Sequence, residues 1–540
     1  QGTTGGLANV NSPILRGAKY GVYSSNGNWS FYDGSIYGAT AAYNQRAVTV
    51  ENGYDIKVVN ETSYQHAFLM PIHTLTFDPQ GGSLSETSKT VMYGTTYTDL
   101  PTPIRDNYVF KGWYATFNGT SDYIKYGKEY KYTDKISVHV SAYMNDWSNP
   151  NSELISCTED GGWCIDLGTN WNDLGDTIVF FGKDTGTGSL EYTCARTSIR
   201  AASLSAGWHD FDLIFDGQYL YGYIDGTLAA TSSRYTSGAL EYDERNGIFL
   251  GVEALNTETT PDNRSWFHGN IGNIVIENSN RLIPGTTYNT ITAPNQDVTL
   301  HARWEAANYS ITNEGNTDYF ITLKEAYDYA TTIDGEVQID VIRNNFEDDS
   351  LVVIDNSKSI ILNTNGNKMI KTTNGITNKG TLTIIGAGTI ETAEANNNTL
   401  SQLIHNNGGT VTVDGPTLEN KGHRTNYWYV IYNENAGTTN VNNGTLRTSM
   451  TNNVSYDPTY PSRTICVKDD AILNVYGGTI ESTEAGPAIE GLSDARQGMI
   501  TIRGGIINAP STYAAILLER KYSTNEHDNL GRNHHRWKRN

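Results

Sequence analysis

Between Gly380 and Leu517 the chain repeats itself, and a short internal period restricts a fold more tightly than composition does. Five segments align: Gly380-Thr-Leu-Thr-Ile384, Gly409-Thr-Val-Thr-Val413, Gly437-Thr-Thr-Asn-Val441, Ala471-Ile-Leu-Asn-Val475 and Gly498-Met-Ile-Thr-Ile502. Their starts lie 29, 28, 34 and 27 residues apart. In four of them a glycine-containing corner leads, five residues on, to a further apolar position: Leu418, Leu446, Ile480 or Ile507. The first carries one extra residue and reaches Ile390. A third apolar run follows in each repeat, such as Tyr429-Val-Ile-Tyr432, Thr464-Ile-Cys-Val467 and Ala514-Ala-Ile-Leu517. Three short strands cannot close a core alone, so successive repeats must stack as a solenoid. No repeat contains a helical period, which excludes leucine-rich and helical arrays. Parallel stacking predicts Leu382, Val411, Leu473 and Ile500 in one inward column, with Thr and Asn pointing outward.

The repeat resembles the right-handed parallel β-helix of pectate-lyase-like proteins. Ahead of it, Tyr319-Phe-Ile-Thr-Leu-Lys-Glu-Ala-Tyr-Asp-Tyr-Ala330 carries apolar residues at helical spacing. A short amphipathic helix there would cover the apolar end of a solenoid. Val337–Ile342 and Leu351–Ile354 follow as strands. The same coil occurs once more, where Gly27–Ile36 aligns with Ala471–Ile480. Residues 1–60 are therefore expected to be terminal coils of a truncated β-helix. Nothing at Gln1 resembles a signal peptide and no lead-in precedes the first coil, so the expectation is a segment of a longer, surface-anchored chain.

Two further modules lie between these ends. Residues 74–117 run from Thr74-Leu-Thr-Phe-Asp-Pro-Gln-Gly-Gly82 through Tyr93-Gly-Thr-Thr-Tyr97 and Leu100-Pro-Thr-Pro103 to Tyr108-Val-Phe-Lys-Gly-Trp-Tyr114. This resembles the Listeria–Bacteroides repeat, the internalin-B-type B-repeat, a small β-grasp-like module of bacterial surface proteins. Its usual closing strand, ending in Ala-x-Trp, comes far downstream as Val298-Thr-Leu-His-Ala-Arg-Trp304. The expected module thus spans 61–125 and 281–309, split by an insertion over 126–280.

Inside the insertion, Gly207-Trp-His-Asp-Phe-Asp-Leu-Ile-Phe-Asp-Gly217 leads into Tyr219-Leu-Tyr-Gly-Tyr-Ile-Asp-Gly-Thr-Leu228. Both halves alternate with period two, and Asp-Gly supplies each turn, the signature of an antiparallel meander. Ile248–Gly251 and Phe267–Ile276 continue it. The order resembles the concanavalin-A-like jelly roll of laminin-G-type domains. The expected fold class is thus all-β: right-handed parallel β-helix segments flanking a β-grasp-like B-repeat that carries an inserted jelly-roll sandwich. A parallel β-helix with an N-terminal capping helix is expected over 310–520. The tail 521–540, basic and polar, breaks every pattern before it and is assigned no function.

Candidate chemistry is sparse. Jelly-roll glycosidases need paired carboxylates on one strand face, but Glu241-Tyr-Asp-Glu-Arg-Asn246 has Asn where the last acid should be. On the solenoid, Asp414, Lys468, Asp469 and Asp470 are scattered among Thr and Asn, so no column of carboxylates for lyase chemistry is expected. Loop tryptophans suit glycan stacking, because the apolar face of a sugar packs on an indole. Trp147, Trp163 and Trp171 are the candidates, set against half-burial at the ends of the sandwich. Asp146, Asp160 and Asp173 in the same loops are weak candidates for Ca2+. Cys157 and Cys164 would face each other across an Asp160-Gly161 turn, within bridging distance, whereas a Gly161-Gly162 turn would separate them.

Lys plus Arg number 38 and Asp plus Glu 59, a formal charge of −21, which disfavours nucleic acid and anionic lipid as partners. No apolar run is long enough to span a membrane. The expectation is a non-catalytic adhesin segment at the bacterial cell surface, extracellular, with a glycan or glycoprotein ligand and no cofactor beyond the Ca2+ just named. Its rivals are a polysaccharide-degrading enzyme and a purely structural stalk.

Overall fold

The structure is a computed structural model. It describes residues 13–520 except 26, 45–47, 128–130, 148–151, 158–160, 169–176, 184–191, 233–238, 243–246, 255–260, 280–290, 394–399, 422–427, 450–461, 469, 484–485 and 494–498. The chain is nearly all β and divides into two compact units, residues 1–105 with 110–304, and residues 106–109 with 305–540.

The first unit is built on one long sheet. Its strand order is Ile14–Gly17, Ser35–Gly38, Gln65–Asp78, Val298–Ala306, Tyr108–Asn118, His268–Glu277, Ile136–Met144, Gly207–Phe215, Leu220–Ile224 and Thr227–Thr231. At its N-terminal end the strands form two rungs of parallel pairs: Ile14–Gly17 with Ser35–Gly38, Tyr20–Val22 with Ala41–Tyr43, and Trp29–Phe31 with Val48–Val50. Val298–Ala306 lies between Gln65–Asp78 and Tyr108–Asn118 although it comes last in sequence. It runs parallel to the former, with Leu75 opposite Val298 and Asp78 opposite His301.

A second sheet, ordered Ile124–Gly127, Ile248–Leu250, Glu153–Ser156, Trp163–Asp166, Thr177–Lys183 and Tyr192–Arg200, completes a sandwich. Period-two alternation explains which side chains fill it. Val138, Val140 and Ala142 of Ile136–Met144 and Phe211, Leu213 and Phe215 of Gly207–Phe215 are buried in one core with Ile155, Ile165, Phe180 and Leu250 of the second sheet. The residues between them, Ser137, His139, Ser141 and Tyr143, face the other side of the long sheet.

The second unit opens on the hairpin Tyr309–Asn313/Asn316–Phe320, followed by the helix Leu323–Ala330. Thr322 caps the helix: its Oγ1 accepts from Glu325 N, and the Glu325 carboxylate accepts from Thr322 N in return. This is the capping-box arrangement. Leu323, Ala326, Tyr327 and Ala330 are buried and, with Ile339, Val352 and Ile360, belong to one hydrophobic core.

From Glu336 onward the chain lays down three stacks of strands, and every described pair within them is parallel. The first runs through Glu336–Val341, Ser359–Asn363 and Thr381–Ile385 to Met499–Ile502. The second runs from Phe346–Glu347 to Ile506–Asn508. The third runs from Val352–Ile354 to Ile516–Arg520. Leu382, Val411, Thr439, Leu473 and Ile500 stand in register, the expected column with Thr439 completing it. Not every Asn points outward. Asn378, Asn406 and Asn433 are fully buried and hydrogen-bond in series, at 2.9 and 2.8 Å.

Two expectations about these elements are corrected. Glu391, Glu419, Arg447 and Glu481 occupy successive rungs of the second stack, so a largely carboxylate column does exist. Cations pair with two of its three carboxylates: Lys368 and Lys421 reach Glu391 at 2.6 and 2.8 Å, and Arg447 reaches Glu481 at 3.0 Å, while Glu419 accepts from the Ser449 hydroxyl. The second correction concerns the cysteines. Ser156 pairs with Cys164, and Cys157 N donates to Trp163 O at 2.8 Å. This one-residue offset puts Cys157 and Cys164 on opposite faces of their hairpin. Cys157 is a free, buried thiol, its pKa pushed by burial up to about 12, and the bridge is not formed.

Candidate functional site: an aromatic platform beside a polar groove

The tryptophans expected to stack on sugars do not line a surface. Trp147 and Trp163 are 1% and 0% exposed and belong to the sandwich core, Trp147 packing edge-on to His209 at 5.5 Å. A sealed indole offers no face to a ligand. Asp146 is exposed, whereas Trp171, Asp160 and Asp173 lie outside the described residues. Among the described residues no three His, Cys, Asp or Glu side chains converge as a metal site would require.

Aromatic side chains do gather on the face of the long sheet turned away from the sandwich core. Across neighbouring strands, Thr116, Asn270, Tyr143 and Trp208 form one row. Tyr114, Gly272, Ser141 and Asp210 form the next. Gly272, between Tyr114 and Ser141 in this row, presents no side chain. A Cβ there would lie 2.5 Å from Trp113 O, so the position admits only glycine without displacing the adjacent strand. Trp208 meets Tyr114 and Tyr143, each at 5.6 Å between ring centroids, and the Arg303 guanidinium lies 4.3 Å over the indole. His301 extends the row, 5.5 Å from the Tyr114 ring, and pairs with Asp78 at 3.0 Å. All five side chains, Tyr114, Tyr143, Trp208, His301 and Arg303, are half-buried: held in place, yet reachable. Burial, with the Asp78 carboxylate nearby, raises the Tyr114 pKa and keeps its phenol protonated.

Thr116 and His301 also border a groove of about 610 Å3 between strand Tyr108–Asn118, the turn after it and the start of Val298–Ala306. Ser121, Asp122, Asp297 and Thr299 supply polar groups along it. Gln296 fixes one wall, its Oε1 accepting from Lys125 N at 3.2 Å and its Nε2 donating to Tyr123 O at 3.0 Å. Stacking rings beside a cleft lined with hydroxyls and carboxylates suit a ligand that is apolar on one face and polar at its edges.

The Asp-Gly hairpins of the sandwich explain how Trp208 is held. Asp225, at the turn before Gly226, accepts from Asp210 N at 2.9 Å and pairs with His209 Nδ1 at 2.7 Å. Its carboxylate thus clamps the residues that follow Trp208. The hydrogen bond to Asp225 raises the His209 pKa above its ordinary value of 6.5. Burial works against the Asp225 carboxylate, but the bonds from His209 and Asp210 N outweigh it and hold its pKa below normal. The His209 contribution to stability is therefore complete below pH ~6.5 and lost as pH rises through the folded value. The Asp225 contribution is lost as pH falls through its own lowered value. Thermal unfolding of His209→Asn against wild type should show a deficit of about 2–4 °C near pH 5.5 that narrows toward pH 8.5. A deficit independent of pH would show that shape, not charge, is what His209 contributes.

A Ser–His–Asp alignment lies nearby and does not make a nucleophile. His139 Nδ1 is 2.6 Å from Asp212 Oδ1, and Ser141 Oγ is 3.5 Å from His139 Nε2. The Ser141 hydroxyl donates instead to Asp210, and Ser141, His139 and Asp212 are all buried. A hydroxyl committed to a carboxylate and sealed from substrate lacks the geometry of an activated serine.

No curated protein matches the chain. Three solved structures, each below 25% identity, show a faint likeness. A putative carbohydrate binding protein from Bacteroides ovatus is 12% identical over 39% of this chain and 66% of its own, with a TM-score of 0.25. Domain 4 of an extracellular arabinanase from Geobacillus stearothermophilus, in complex with arabinotriose, is 15% identical over 38% and 81%, with a TM-score of 0.23. The LG1-3 region of the laminin alpha2 chain is 12% identical over 47% of each, with a TM-score of 0.24. Likenesses this slight add nothing to what the strand pairing shows. One family does match: residues 73–139 are a Listeria–Bacteroides repeat domain.

Proposed function

We propose that the chain is a non-catalytic, glycan-binding segment of a bacterial surface protein, working outside the cell. The Listeria–Bacteroides repeat acts as a β-grasp-like module, interrupted by a laminin-G-like jelly roll over 126–280 and completed by Val298–Trp304. The parallel stacks after Glu336 wind as a right-handed β-helix that serves as a stalk, with Leu323–Ala330 as its cap. Parallel pairing throughout the three stacks, with an apolar interior and hydroxyl-rich exterior, supports the stalk. The observation that carries the binding role is the platform. Three aromatic rings from three different strands occupy outward positions that core packing does not require, beside a groove of polar groups.

Trp208→Ala and Tyr114→Ala should each weaken oligosaccharide binding at least tenfold, about 1.4 kcal/mol, while leaving the unfolding transition in place. A glycan array followed by calorimetry on the full chain measures this, and the same mixtures analysed for released product should show none. Undiminished binding in both variants would remove the platform from the site. Product release would favour the enzyme, and binding to no saccharide would favour the stalk alone.

A further inference from the structure

We propose that the groove beside the platform selects uncharged oligosaccharides, and that Asp122 and Asp297 are the residues that turn acidic sugars away. This deepens the glycan reading of the platform and rests on it. At about 610 Å3 the groove has the size of a small-ligand site, roughly 300–1,000 Å3. It shares Thr116 and His301 with the platform, so a ligand stacked on the aromatic rings can extend into it.

The two carboxylates are built into place. Asn118 Oδ1 accepts the backbone N–H groups of Thr120, Ser121 and Asp122 at 2.9, 2.9 and 3.2 Å. Asp122 Oδ2 in return accepts Asn118 N at 3.0 Å, which fixes the carboxylate at the rim. On the opposite side Asp297 Oδ1 accepts Thr74 N at 2.8 Å, and its side chain is 77% exposed. Each carboxylate therefore uses one oxygen to hold its position and leaves the other available to a ligand hydroxyl.

Among the described residues lining the groove, only His301 can carry a positive charge, and it already faces Asp78. A sugar hydroxyl entering here finds acceptors in Asp122 and Asp297 and donor-acceptor groups in Thr116, Ser121 and Thr299. A uronate or sulfated sugar finds like charge on both sides and must lose its hydration as well. Selectivity of this kind comes from a repulsive element as much as from attraction to the preferred ligand.

The test compares neutral glucose- and galactose-based oligosaccharides with galacturonate oligosaccharides of matched length, by calorimetry on the full chain. Wild type should bind the best neutral ligand at least tenfold more tightly than its uronate counterpart. Raising the salt should shrink that gap by screening. The double variant Asp122→Asn/Asp297→Asn keeps both backbone hydrogen bonds available, and in it the gap between neutral and uronate ligands should fall to about threefold or less. Equal or tighter uronate binding by wild type overturns the inference alone, as does a gap that survives in the double variant. Trp208→Ala separates the two readings: if neutral ligands bind it as well as wild type, the platform reading fails. If no saccharide of either kind binds wild type, both fall.

Discussion

Lys371→Met should destabilise the C-terminal unit by about 3–5 kcal/mol, because it strands a carboxylate in a sealed interior. Lys371 and Asp348 are 0% and 1% exposed at their side chains, with Nζ 3.2 Å from Oδ1. The lysine also donates to Ser350 O at 2.9 Å. Asp348 collects further donors around it: Tyr309 OH at 2.6 Å, Leu323 N at 2.7 Å and Ser350 N at 2.8 Å. Leu323 is the first residue of the helix, so this one carboxylate ties the hairpin, the helix start and the strand Lys368–Lys371 together. Burial pushes the Asp348 pKa up, but Lys371 and these hydrogen bonds outweigh it and leave it below normal. Its contribution is thus present above the ordinary carboxylate range and is lost as pH falls through the lowered value.

Hydrogen exchange is the suitable measurement, since a chain of several units has no single unfolding free energy. Amides of 309–313 and 323–330 should lose protection in Lys371→Met, with the sandwich strands unchanged. Lys371→Met combined with Asp348→Asn should be less destabilised than the sum of the two single changes. Unaltered protection of the helix in Lys371→Met would show that the ammonium is dispensable.

The columns of the three parallel stacks were legible because their period is carried by side chains that must meet across neighbouring strands. Leu382, Val411, Leu473 and Ile500 could be aligned from spacing alone, and the strand register agrees. The charged column was equally available. Glu391, Glu419, Arg447 and Glu481 each directly follow an aligned apolar residue, Ile390, Leu418, Leu446 and Ile480. Its signal sits in the second stack, where it is easily missed beside the more regular Thr and Asn positions of the first.

The platform was not legible in this way. Tyr114, Tyr143 and Trp208 are far apart in sequence, and only the strand order, with His268–Glu277 between two of them, makes them neighbours. Alternation did place each aromatic ring outward, which was the available clue. Trp147 and Trp163 misled for the opposite reason. A tryptophan among Asn, Asp and Gly looks exposed in sequence, but only tertiary packing decides whether its loop folds over the core. For the cysteines a one-residue difference in turn length reversed the outcome, with Gly162 at φ +79° in the turn that sets the register.

Under tension, the sandwich between them should remain folded until the pair Gln65–Asp78/Val298–Ala306 has given way. These two strands are parallel, in register from Leu75/Val298 to Asp78/His301. Pull enters the first strand at its N-terminal end and leaves the second at its C-terminal end, so the strands are drawn past each other. In that geometry the ladder hydrogen bonds carry the load together, whereas in a hairpin pulled at its open end they would break singly. Everything between residues 78 and 298 lies outside the load path while the pair holds, Tyr114, Tyr143 and Trp208 included, whereas His301 and Arg303 sit on the loaded strand itself.

Forced unfolding reports the rate of crossing such a barrier. Single-molecule stretching of the full chain should show no sandwich-length extension at forces below the rupture of this pair. A sandwich event at lower force would refute the load path. The pairing itself has an independent check: Thr76 stands opposite Thr299, so Thr76→Cys/Thr299→Cys should form a disulfide on oxidation. Once formed, the bridge should remove 222 residues from the extensible length, about 730–800 Å at 3.3–3.6 Å per residue. Two thiols that remain free under oxidising conditions would show that Val298–Ala306 does not lie where the register puts it.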